Sequence, residues 1–140
     1  MSLEDLKSGI KGARSITIDE ALTVPSVAVA HFGFTDMPPV FATAFLVAFV
    51  EWTCIEALHP YLGAGQRTVG VHVDLSHSAA TPVGMKATAE VELVERQDRR
   101  LRFRVWVRDE VEVISEGFHE RYVIDADRFM ARLTMKRSSA

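Results

Sequence analysis

The chain predicts an α+β fold in which an antiparallel sheet of about five strands wraps around one long central helix. Three observations carry this. One apolar run, Val40 to Val50, is interrupted only by Thr43 and is followed at once by Glu51; it is too short to span a bilayer and reads as a buried core helix. Beyond it, from about residue 67, apolar and polar residues alternate with the period of a half-buried strand. Four such stretches follow one another to the end of the chain, an order that suits antiparallel neighbours around a single helix.

Taken in order, residues 13–24 read as a first strand, with Ile16, Ile18 and Ala21 to Val24 apolar and Pro25 ending it. Residues 25–39 carry Gly33 and the pair Pro38-Pro39 and read as a loop, long enough in a compact domain to point to function. Residues 40–62 read as the helix, with Pro39 before it, Gly63 after it, and Pro60 set to kink or end it early. Its first half is apolar on nearly every face, the mark of a helix buried on all sides.

Within the strand run, residues 67–77 alternate and place Val69, Val71, Val73, Leu75 and His77 on one face. Residues 85–95 place Ala87, Ala89, Val91 and Leu93 inward. Residues 100–108 place Leu101, Phe103, Val105 and Val107 inward and arginines outward, with Gln97-Asp98-Arg99 as the hairpin turn. Residues 111–124 form the last strand, bent at Gly117, and residues 125–136 a short terminal helix. The arginines at 100, 102 and 104 are expected to pair across the hairpin with Glu90 and Glu92. A sheet curled around one helix is the hotdog fold. Its exposed edge is satisfied by pairing with a second copy, so a homodimer is expected.

Composition narrows the function classes. At 140 residues, one domain spanning 1–140 is expected, and 48% hydrophobic with 25% charged residues supports a real core. A net charge of −3 argues against a phosphate-driven nucleic-acid binder. The single cysteine, Cys54, excludes an intramolecular disulfide and a cysteine-built metal site, and suits a reducing compartment. With no basic-then-apolar leader at the start, a soluble, cytoplasmic protein is expected.

Glu51 is the most informative residue. It closes an apolar run inside a helix, where an ionised carboxylate is disfavoured unless paired. It either turns outward to a polar partner or is a carboxylate tuned by burial for base or nucleophile work. Thr43 lies eight positions earlier, near the same stripe and about 12 Å away along the axis at 1.5 Å per residue. It sits in the first turn, where free amides and the helix dipole favour developing negative charge, although a first-turn threonine is also a common partial cap. His77 continues an apolar strand face, the place of a core histidine or of a proton carrier. Arg121 has Glu51, an anionic ligand, Glu116 or Glu120 as candidate partners.

Taken together these residues resemble a known family. Val40-Phe41-Ala42-Thr43, Val50-Glu51-Trp52-Thr53-Cys54, Val69-Gly70-Val71, Ser76-His77-Ser78-Ala79-Ala80-Thr81-Pro82 and His119-Glu120-Arg121 look like the fluoroacetyl-CoA thioesterases and their hotdog relatives. The resemblance runs from about residue 12 to 133, and the combination of Thr-x7-Glu with the later His-x-Ala-Ala-Thr-Pro is its most specific part. It implies that Thr43, Glu51 and His77 are catalytic. It also implies that Gly70 lies beside the acyl group, that Arg121 is near the site, and that Phe34 is one of two lid residues. The second lid position falls at Met37, a more flexible side chain than the family's phenylalanine. Strand parity puts Gly70 opposite His77, so it acts through its backbone or through a bulge. The implied reaction is hydrolysis of a short acyl-CoA or related acyl thioester without cofactor or metal, coenzyme A entering as part of the substrate. The alternatives are a hotdog protein that binds acyl-CoA without chemistry and a hotdog hydratase or dehydratase.

Overall fold

The structure, a computed structural model, describes residues 1–140. Strand β1 is Lys11–Thr17, helix α1 is Thr43–Leu58, and strands β2, β3, β4 and β5 are Gln66–Leu75, Lys86–Gln97, Arg100–Arg108 and Val113–Asp125; helix α2, Ala126–Ser138, ends the chain. The five strands form one antiparallel sheet in the order β1-β3-β4-β5-β2, curled around α1. The predicted architecture is the observed one.

Strands β3 and β4 alternate without exception in their central stretches. Ala87, Ala89, Val91 and Leu93 face inward with Leu101, Phe103, Val105 and Val107, all buried against Leu46, Phe49, Val50, Cys54 and Leu58 of α1. Asp98 and Arg99 make the two-residue hairpin between them, Asp98 in the left-handed region at φ 54°, a conformation that an aspartate tolerates in this kind of turn.

The first strand is shorter than its pattern. It ends at Thr17, and residues 20–22 and 24–26 form two 3-10 turns instead of continuing it. The hydroxyls of Thr23 and Ser26 both donate to the Glu20 carbonyl, each at 2.7 Å, a local alternative to the ladder. The helix is also shorter than 40–62. Val40 and Phe41 are held in isolated bridges to Pro82 and Thr23, and the chain past Leu58 tightens into a 3-10 turn at His59–Tyr61, where Pro60 lies and cannot continue an α-helical ladder.

Helix α1 is not buried on all sides. Ala44, Ala48, Trp52 and Ile55 are exposed at spacings of four, four and three residues, and Trp52 is 39% exposed. The curled sheet covers one side of the helix and leaves this apolar stripe open.

Strand β2 departs from simple alternation. Its pairing with β5 shifts between Gly70 and His72, leaving Val71 as an extra residue. Gly70 therefore lies opposite Arg121 and Val73 opposite His119, on the inner face, while Val69 lies opposite Tyr122 on the outer one. The expected common face for Val69, Val71, Val73 and Leu75 is broken at that point. At Gly117, φ is 147° and a Cβ would fall against the carbonyl oxygen of Asp74, so β5 and β2 approach closely there only because the position is glycine.

The outer face also differs from its pattern. Arg100 and Arg102 both bond Glu120 of β5, at 2.6 and 2.9 Å, and Arg104 lies over the rings of Trp106 and Phe118. A register shift between Leu93 and Glu95 changes which β3 residues face the arginines, and β5 supplies the carboxylate.

Candidate active site

Two polar clusters lie along α1. The first is at its N-terminus. Ala42 is the N-cap and Thr43 the first helical residue. The first intrahelical bond runs from the Leu46 amide to the Ala42 carbonyl at 2.8 Å, so the amides of Thr43, Ala44 and Phe45 begin the helix with no carbonyl a turn earlier to bond. Thr43 Oγ1 lies 2.7 Å from His77 Nδ1.

His77 is delivered from just beyond the end of β2. Ser76 and Ser78 donate their amides to the carbonyls of Glu116 and Ile114 at 2.9 and 2.8 Å, which extends the ladder past Leu75 and turns the residue between them inward. The ring of Phe41 meets the imidazole edge to face, centroids 6.4 Å apart. Burial lowers the pKa of His77 below the ordinary histidine value, so the ring is neutral at pH 7. Its Nε2 is buried with no hydrogen-bond partner, a rare state for a buried polar atom.

The second cluster centres on Glu51, two turns along the helix. Glu51 is not sequestered among apolar groups as its sequence position suggested; its side chain is 37% exposed and its Oε2 lies 2.9 Å from Arg121 Nη1. Of the partners open to Arg121 in the sequence, Glu51 is the one it takes. The guanidinium is almost fully buried and spread over several acceptors. Its Nε donates to Thr68 Oγ1 at 2.8 Å, its Nη2 to the Thr68 carbonyl at 2.9 Å, and its Nη1 also reaches His119 Nε2 at 3.0 Å.

Gly70 closes this cluster. A Cβ there would stand 2.8 Å from Glu51 Oε2 and 3.4 Å from Arg121 Nη1. The bulge places a bare backbone against the carboxylate, the alternative that parity left open. Cys54, nearby on α1, is a spectator, since burial pushes its thiol up to about 12.

The structure thus joins Thr43 to His77, and Glu51 to Arg121 and Gly70. It does not join His77 to Glu51. Phe34 and Met37 sit on the loop before α1, both exposed, with Phe34 against Phe32. Thr68 and His119 were not singled out from the sequence as site residues; the alternation of Gly117, His119 and Arg121 was the available signal for the second of them. A cavity of about 480 Å³ adjoins Thr68, lined also by Ile55, His59 and Arg67. No three His, Cys, Asp or Glu side chains are grouped to share a metal ion, and no helix is long and apolar enough to cross a membrane.

Comparison with known proteins converges on one group. The family model for FlK, fluoroacetyl-CoA-specific thioesterase, matches residues 24–127. The chain is 37% identical over 136 residues to the fluoroacetyl-CoA thioesterase of Streptantibioticus cattleyicolor, covering 94% of this chain and 97% of that one. A solved structure of the fluoroacetyl-CoA thioesterase FlK superposes with a TM-score of 0.89 at 35% identity, over 94% of this chain and 97% of the other. A thioesterase superfamily member from Thermus thermophilus shares the fold, with a TM-score of 0.81 at 21% identity over 96% and 97% of the two chains. The class is therefore the hotdog-fold thioesterases, hydrolases of acyl thioesters. Within that class, the chain belongs to the fluoroacetyl-CoA-specific thioesterase family.

Proposed function

We propose that the chain hydrolyses a short acyl-CoA to the free acid and coenzyme A, with Thr43, His77 and Glu51 as its reacting groups. The observation that carries this is the 2.7 Å contact of the Thr43 hydroxyl with a neutral His77 at the start of a helix. A thioester carbonyl seated there meets free amides and the positive end of the helix dipole, which stabilise the oxyanion. Thr43 Oγ1 attacks the carbonyl carbon as its proton passes to His77 Nδ1; the C–S bond breaks and the thiolate leaves with a proton. Water then cleaves the acyl-threonine ester.

Glu51 suits that second step. Side chains of a helix lean toward its N-terminus, so the carboxylate reaches back along the roughly 12 Å between the two positions and leaves room for an acyl group and a water. Arg121 and Gly70 hold the carboxylate and line the acyl pocket. Phe34 and Met37 form the lid. Since Met37 stands where the family resemblance places an aromatic residue, discrimination between fluoroacetyl and acetyl groups is weaker than an aromatic lid would give.

The protein works as a homodimer in the cytoplasm. The outer edge of β2 carries no strand, Val73 of that strand is 47% exposed, and α1 leaves its apolar stripe open. Pairing β2 with its symmetry mate satisfies the edge and covers the stripe.

Free-thiol release from a panel running from acetyl-, fluoroacetyl- and propionyl-CoA to medium-chain acyl-CoAs tests the proposal. Release from the short acyl-CoAs, falling in Thr43→Ala by roughly 100-fold or more as loss of a nucleophile or proton path requires, supports it. Undiminished release in that variant removes Thr43 from the chemistry. Binding without release from any substrate makes the chain an acyl-CoA binder.

A further inference from the structure

The proposed reaction uses His77, yet a second histidine lies deeper. His119 is fully buried on the inner face of β5 and makes two hydrogen bonds, one to the carbonyl of His72 from Nδ1 at 2.8 Å and one between Nε2 and Arg121 Nη1 at 3.0 Å. These two contacts fix its protonation. A guanidinium nitrogen only donates and a carbonyl oxygen only accepts. Nε2 is therefore the bare acceptor and Nδ1 carries the hydrogen, which makes the ring neutral and locks one tautomer. We infer that His119 is a positioning residue, holding Arg121 by accepting from it and, through Arg121, setting the place of the Glu51 carboxylate.

Three features of the geometry support this. Arg121 Nη1 is the nitrogen that bonds both His119 and Glu51, so orienting one of its hydrogens orients the other. The remaining bonds of the guanidinium go to Thr68 and hold the planar group from β2, while His119 and Glu51 take the two hydrogens of Nη1 on its other side. The His72 carbonyl that anchors the far side of the imidazole belongs to the residue immediately after the Val71 bulge. The bulge thus supplies the anchor for His119 and brings Gly70 against the same carboxylate. A proton on Nε2 would set two donors against each other and add a cation beside Arg121. The charged and titratable groups around the ring are Arg121 and Glu120 of β5 and Glu51 of α1, with the Cys54 thiol close by. Burial first, with help from Arg121, keeps the histidine neutral against the pull of the His72 carbonyl, Glu51 and Glu120.

The catalytic part of this inference rests on the reading of Glu51 as a reacting group; the orienting part does not. Two substitutions separate them, because glutamine can keep the acceptor toward Arg121 and asparagine only the donor toward His72. Arg121 is first followed by the nitrogen-15 spectrum of its guanidinium, which needs no turnover. Parent and His119→Gln should show separate, slowly exchanging side-chain hydrogens, and His119→Asn should show them averaged by rotation. Steady-state thiol release follows. His119→Asn should lose about 10-fold or more in kcat with little change in KM, as for a lost transition-state interaction, and His119→Gln should recover most of it. The acid limb of log kcat against pH should be steeper in the parent, where two neutral histidines are needed, than in His119→Gln, where only His77 remains. Averaged guanidinium hydrogens in the parent, or equal spectra in the two variants, overturn the orienting role. Ordered spectra with kcat equal in both variants overturn the catalytic consequence alone. If the parent releases no thiol from any acyl-CoA, the function reading fails and the spectra still decide whether His119 orients Arg121.

Discussion

At the scale of single residues, the site depends on contacts that leave little room for substitution. Gly70→Ala puts a methyl group 2.8 Å from Glu51 Oε2, so the carboxylate must move. A displacement of about 1 Å at a reacting group costs roughly 100-fold in rate, and kcat should fall on that order while the melting temperature shifts by only a few degrees. Thermal unfolding and thiol release measured on the same preparation check both halves. The buried His119 and the half-buried His77 give a pH dependence of definite sign. Burial lowers the folded pKa of His77 and of His119. The unfolded chain therefore takes up protons first as pH falls through 6.5, and stability contributed by the neutral rings is present above that value and lost as pH drops below it. Activity should hold at pH 6.5 and fall only under more acidic conditions, as His77 gains its proton. A kcat profile halved at or above pH 6.5 contradicts a buried, neutral base.

Among elements, the loop between β4 and β5 is braced by a buried pair. Thr81 Oγ1 donates to Asp109 Oδ2 at 2.9 Å, while the other carboxylate oxygen accepts from the amides of Val111 and Glu112 at 2.8 and 3.0 Å. Thr81 of the His-x-Ala-Ala-Thr-Pro stretch is buried with this pair, and its carbonyl accepts from the Phe41 amide at 2.9 Å. Thr81→Val should lower unfolding free energy by about 1–3 kcal/mol, the cost of leaving a buried acceptor unmet, with kcat near that of the parent; urea titration and turnover read the two quantities. Strand β2 pairs with β5 on one side and leaves its other edge open. A lysine at Val73 would set an inward-pointing charge on this unpaired edge strand, a device that blocks edge pairing. Val73→Lys should shift the mass seen by light scattering from twice the 15.6 kDa chain mass to once that mass, with loss of activity.

For the whole molecule, fold class was legible because burial and periodicity coincide in β3 and β4 and because the apolar run of α1 has no competing assignment. The first strand misled because Ile18, Ala21, Leu22 and Val24 continue its apolar content, while the hydroxyls of Thr23 and Ser26 bond backward to Glu20, a choice that periodicity does not register. The site was half legible. Thr43, His77, Glu51 and Arg121 are all singled out by the sequence, and of the two readings open to Glu51, a polar partner or a buried carboxylate, the pair with Arg121 takes the first. The role of Thr68 was hidden, since its parity relative to Arg121 follows from a bulge that side-chain identities do not announce. The open stripe of α1 was read as covered because the helix is apolar on that side, and a single chain has nothing there to cover it.

The Val71 bulge makes the arrangement around Glu51 a matter of pairing register as well as residue type. Were the same residues paired regularly, Val71 would stand opposite Arg121, and Gly70 and Thr68 would turn to the outer surface, with Val69 and Val71 brought toward Glu51. A one-codon deletion of Val71 itself would instead leave Gly70 opposite Arg121 and His72 opposite Glu120, the partners they have now. The extra residue is thus a length the strand can lose and keep its setting of Glu51, while a change that irons out the bulge at constant length would spare each catalytic side chain and still dismantle that setting.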